Sequence, residues 1–227
     1  MSRPPSTPSA VTGDITVVKP LLRGWIHTIM APLAAILGII LLVLAPTTAA
    51  RVSVSVFALT TVVLFVTSAV YHRGTWSARW FARLRRMDHS NIFLVIAGTY
   101  TPLAVVLLPT GTATILLAVV WGGALAGIGA RVFWLDAPRW FYVPIYVALG
   151  WVAVWFLPAF WTASGPAVVW LVIAGGLGYT LGALAYGFTW PNPSPRYFGY
   201  HEIFHVGTVI GYTCHAIAIA LAVLALR

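Results

Sequence analysis

His201-Glu202-Ile203-Phe204-His205 opens an apolar run, Val206 to Leu226, that is long enough to cross a bilayer. Two imidazoles four residues apart fall on one face of a helix. Histidines are expensive to place at the mouth of a membrane helix, and residues so placed mark functional sites. The reading of this stretch decides the fold, because the rest of the chain repeats its pattern of long apolar runs with polar residues at one end.

Of the 227 residues, 60% are hydrophobic and only 7% are charged. Soluble domains carry about a quarter charged residues, so this is a polytopic membrane protein. Seven stretches reach the roughly 20 apolar residues a span needs: 25–44, 52–71, 90–108, 112–133, 141–160, 166–188 and 202–226. Turn signals separate them: Ala45-Pro46-Thr47, Pro109-Thr110-Gly111, Ser164-Gly165-Pro166 and Pro191-Asn192-Pro193-Ser194-Pro195. Residues 1–20 are rich in Pro, Ser and Thr and lack an apolar core, which reads as a disordered cytoplasmic tail and not a signal peptide. Residues 21–227 then form a single seven-helix transmembrane domain.

Charge orients the bundle. With the N-terminus inside, 11 of the 13 Lys and Arg fall on the cytoplasmic side, leaving Arg51 and Arg227 outside. The positive-inside rule therefore puts the N-terminus in the cytoplasm and the C-terminus outside. The expected fold is an all-α seven-transmembrane helix bundle of the cell membrane. The net charge of +9 serves this topology, so nucleic acid is not an expected partner. The lone Cys214 excludes an intrachain disulfide framework and reads as a small apolar helix residue. Between spans two and three, residues 75–86 put Trp76, Trp80 and Leu84 on one helical face with arginines around it, the pattern of a short interfacial helix. Pro102, Pro144 and Pro158 are expected kinks or helix ends.

In this topology span two ends inside at Tyr71-His72. Span three begins inside at Asp88-His89, and span seven begins inside at His201 to His205. Three helix ends thus bring His72, Asp88, His201 and His205 to one membrane depth. Three imidazoles match a zinc site with an open position for water. Asp88 can hold that water or act as general base. Ser68, one turn before His72, suits a supporting hydroxyl. The chemistry implied is hydrolysis of an amide or ester approaching from the inner leaflet or cytoplasm. The bland alternative is a set of interfacial histidines pairing with Asp88 and loop arginines. The stretch also fits His-Glu-x-x-His, which keeps open an intramembrane zinc protease with Glu202 as base; Glu202 equally suits a helix N-terminus. His27 reads as an interface anchor, and His89 as a supporting residue at best. His215, roughly 15 Å beyond His205 along a helix, reads as an interhelical hydrogen-bonding residue or the lining of a polar cavity. Glycines in spans four and six suit close helix packing.

Several motifs in order resemble the hemolysin III family: Lys19 to His27, Ser68-Ala69-Val70-Tyr71-His72, Asp88-His89, Ala97-Gly98-Thr99-Tyr100-Thr101-Pro102, His201 to His205 and Cys214-His215. That family is the bacterial branch of the progestin and adipoQ receptor superfamily, which includes the adiponectin receptors. The resemblance implies a seven-helix bundle in which His72, His201 and His205 bind zinc, Asp88 reaches the ion through water and Ser68 supports it. It also implies three kinds of function: a zinc-dependent lipid amidase of ceramidase type in membrane-lipid homeostasis, a cytolytic pore, or a receptor-like protein with structural zinc. Glu202 is not part of the shared pattern.

Overall fold

The apolar runs become helices whose ends fall where the sequence supplies a stop or a cap. The computed structural model describes residues 20–134 and 136–227, so all of the expected tail but Pro20 lies outside the described residues. Helix α1 (Trp25–Leu44) stops before Pro46, whose ring disfavours helical geometry in the residue ahead of it. Helix α2 (Thr48–Arg73) starts earlier than hydropathy suggests, because the Thr47 side chain accepts a hydrogen bond from the Ala50 amide at 3.2 Å and caps it. Helix α4 covers Thr110–Phe133. Helix α7 (Pro166–Phe188) begins with proline at its first position, where no amide hydrogen is needed. Helix α8 covers Tyr200–Leu224.

Two spans depart from expectation. The basic stretch after span two is not a separate interfacial helix. It is the first part of one continuous helix, α3 (Ala78–Leu107). Nothing between Ala78 and Ala97 interrupts it, since that segment contains neither Gly nor Pro. The interfacial character survives in the exposed Trp80, Phe81 and Met87, and α3 runs on through Pro102.

The fifth span is broken. It consists of α5 (Arg139–Gly150), a 3₁₀ segment (Trp151–Phe156) and α6 (Leu157–Ser164). A break inside a membrane frees backbone groups that lipid cannot satisfy. Tyr100 of α3 meets that need: its hydroxyl donates to the Gly150 carbonyl at 2.6 Å and accepts from the Ala153 amide at 2.7 Å. Pro158 lies in the first turn of α6, where it is tolerated, and Pro144 is accommodated inside α5.

Among the described residues, seven helical segments are long and apolar enough to cross a membrane, and there is no β-strand. The closest packing joins α7 and α8. A methyl added at Gly207 would lie 2.7 Å from the Gly178 carbonyl oxygen and 2.8 Å from Gly182 Cα. Gly178 and Gly182 on one helix thus meet Gly207 and Gly211 on the other. Small residues at four-residue spacing let two backbones approach in this way. The contact fixes where the start of α8, and so His201 and His205, stands relative to the bundle. Nine of the eleven described arginines gather at the end where α1, α3 and α8 begin, with only Arg51 and Arg227 at the other.

Candidate functional site

At the arginine-rich end, three helices converge. His72 comes from the last turn of α2, Asp88 from the early part of α3, and His201 and His205 from the first two turns of α8. All three histidines are buried. His72 Nε2 and His201 Nε2 face each other at 3.2 Å. One ligand atom from each of His72, His201 and His205 lies within 4.8 Å of the others. Tetrahedral bonds of about 2.0–2.1 Å to a zinc-like ion would hold donor nitrogens about 3.3–3.4 Å apart. His205 Nδ1 is buried and makes no hydrogen bond of normal geometry. Three buried imidazoles whose ring nitrogens converge fit a metal ion bound by three histidines with one position left open.

Asp88 Oδ2 stands 3.7 Å from His72 Nε2. That is too far for a direct hydrogen bond. The Ser68 hydroxyl, on α2 one turn before His72, is the polar neighbour of the Asp88 carboxylate. Ser68, Asp88 and His205 line a cavity of about 100 Å³ between α3, the broken fifth span, α7 and α8. Its wall is mainly apolar, with Leu103, Val154, Leu157 and Ile173 among its lining, and it includes His215. The break in the fifth span helps to make the cavity, because Gly150, Trp151 and Ala153 line it.

Glu202 points elsewhere. One carboxylate oxygen accepts from the Gly199 amide at 2.8 Å, the return half of a helix-capping arrangement. The other pairs with Arg23 Nε. Arg23 is brought there by the segment before α1, whose Leu21 and Leu22 amides donate to the carbonyls of Arg196 and Tyr197 at 2.9 and 3.2 Å. Gly24 completes this turn with φ of 83°, a left-handed conformation. A Cβ there would meet His72 Cβ at 2.7 Å, so only glycine fits.

Three other histidines lie outside this set, and one of them, His27, departs from expectation. His27 is not an interface anchor. It is 3% exposed and stacks on His205 with ring centroids 3.8 Å apart and planes 15° apart. Trp25 is the anchor, exposed and covered by the Arg73 guanidinium at 4.0 Å. A histidine two residues inside an apolar span, at the end shared with His72, was the available signal. His89 turns away from the three histidines and pairs through Nδ1 with the buried Arg131 of α4. His215 sits against the Val172 carbonyl at 3.1 Å and lines the cavity, so both of its expected roles meet in one residue.

Comparison with known proteins agrees with this architecture. The family model described as "Haemolysin-III related" matches residues 15–216. The chain is 29% identical over 135 residues to "Hemolysin-3 homolog" of Bacillus subtilis (strain 168), covering 60% of this chain and 63% of that protein. It is 30% identical over 129 residues to "Hemolysin-3" of Bacillus cereus, covering 56% and 58% respectively. The matches thus span less than two thirds of either relative's length. With the family model covering most of its length and seven apolar helices in its fold, the chain belongs to the haemolysin-III related family of multi-pass cell-membrane proteins.

Proposed function

We propose that this protein is a zinc-dependent hydrolase of a lipid amide or ester, acting in membrane-lipid homeostasis with its site at the cytoplasmic leaflet. The observation that carries the reading is the convergence of three buried histidines beside Asp88, together with the apolar cavity that Asp88 and His205 line. The concentration of arginines at that end supports a cytoplasmic site, with the N-terminus inside and the C-terminus outside.

His72, His201 and His205 would hold the ion, which supplies Lewis-acid polarisation of a carbonyl and activation of a water. The cavity takes the hydrocarbon chain and excludes bulk water from the reacting carbonyl. Asp88 accepts the proton of the attacking water as its oxygen bonds to the carbonyl carbon. It then returns that proton to the departing nitrogen or oxygen as the C–N or C–O bond breaks. Ser68 orients the carboxylate for both transfers. Purified protein should release fatty acid from a ceramide-like amide or a phospholipid ester, and His205→Ala should not. Equal activity of the two, or none from wild type on any such substrate, rejects the hydrolase.

The relatives' hemolysin names favour a second reading, a pore-forming or receptor-like protein with structural zinc. Liposome leakage that persists in His205→Ala would support it. The intramembrane protease reading loses ground, because both carboxylate oxygens of Glu202 are engaged by Arg23 and Gly199. A protease would lose activity in Glu202→Gln with its metal retained.

A further inference from the structure

Helix α1 contributes little to the interior. Apart from His27 its buried residues are Ala34, Gly38 and Leu41, a small apolar row. An imidazole in that row is the exception. It is wedged between Phe65 of α2, edge-to-face at 5.0 Å, and His205 of α8. A phenyl ring would pack in the same slot. The imidazole adds two polar atoms, both buried and without a hydrogen bond of normal geometry, and the His205 backbone is a neighbour of the ring. Buried polar groups are almost always paired, and the His205 backbone can serve one nitrogen only, so the other calls for a partner from outside the chain.

That partner is not the metal ion. A metal lies in the plane of the imidazole that binds it. His27 and His205 are stacked nearly parallel, so their in-plane lone pairs run in separate layers and cannot meet at one ion. What His27 does share is the cavity, which it lines together with Ser68, Asp88 and His205. A lipid chain lying in the cavity would bring its polar head to this place.

We propose that His27 is a substrate-contacting residue whose ring nitrogen hydrogen-bonds to the polar head of the lipid amide or ester in the cavity. The inference rests on the lipid-hydrolase reading and adds to it a residue from α1 that is neither metal ligand nor base.

The test uses the full chain purified in detergent. It measures zinc content and equilibrium binding of two probes, radiolabelled N-dodecanoylethanolamine and dodecane, for wild type, His27→Phe and His27→Asn. His27→Phe keeps the stack and removes both ring nitrogens. It should retain zinc and bind dodecane like wild type, yet bind the amide roughly tenfold to a hundredfold more weakly, the effect of one buried hydrogen bond. His27→Asn should recover part of the amide affinity. Amide binding by His27→Phe equal to wild type, with zinc retained, overturns the role of His27 and leaves the hydrolase reading standing. Loss of zinc from both variants also overturns it, since His27 would then act through His205. If wild type binds the amide no more tightly than dodecane, the lipid-amide reading falls together with the proposal.

Discussion

Asp88 and His89 are adjacent in sequence, yet they serve two different polar clusters at the same end of the bundle. Successive residues on a helix point about 100° apart. Asp88 therefore faces α2 and α8, beside His72, while His89 faces α4 and α5. The second cluster is closed to a metal by its own cation, although Arg131 Nε and Nη1 are themselves buried without a hydrogen-bond partner. Arg131 meets His89 Nδ1 and lies 4.3 Å over the Tyr142 ring, the Tyr142 and Tyr186 hydroxyls pair at 3.2 Å, and Tyr146 donates to the His89 carbonyl at 3.2 Å. The first cluster stays open: one ring nitrogen from each of His72, His201 and His205 lies within 4.8 Å of the others, and His205 Nδ1 is buried without a hydrogen-bond partner. Burial of histidine is common to both. What separates the two is the donor set, three converging imidazoles in one and an imidazole facing a guanidinium in the other.

Three substitutions sharpen this contrast. The largest effect on stability is expected at Glu202, which braces the site without joining it. Glu202→Ala breaks a buried ion pair by removing one partner, a loss of about 3–5 kcal/mol. Thermal unfolding in detergent should show it, with metal content maintained. A loss of metal without a loss of stability would instead place Glu202 in the metal site. Next comes the closed cluster. Arg131→Met removes a cation–π contact and leaves His89 without its partner, which should lower stability by about 2–4 kcal/mol and leave metal affinity untouched. Weaker metal binding in that variant would mean that the two clusters are coupled. The smallest effect is at Asp88. Asp88→Asn should weaken metal binding about 10- to 100-fold while abolishing hydrolysis. Full activity in that variant would remove Asp88 as the base.

The contrast between the clusters also explains what was legible in the sequence. Long apolar runs bounded by Pro, Gly and Thr gave the helices, and α1 and α7 begin and end where those signals fall. The membership of His72, Asp88, His201 and His205 followed from depth alone, because a membrane forces helix ends into common planes. Partners that depend on lateral packing did not follow. His89 finds Arg131 across 42 positions, and Glu202 finds Arg23 across 179. His27 looked like an anchor because depth cannot say which side of a helix faces inward. The break after Gly150 was hidden for a similar reason: its backbone is satisfied by Tyr100, a residue of another helix.

The central claim is that the open cluster, and not the closed one, holds a metal ion. Metal analysis of the purified protein tests it most directly. About one zinc per chain is expected in wild type and in His89→Gln, with little in His72→Ala, His201→Ala or His205→Ala. Zinc retained in all three alanine variants, or absent from a wild type purified and assayed with zinc present, would contradict the account.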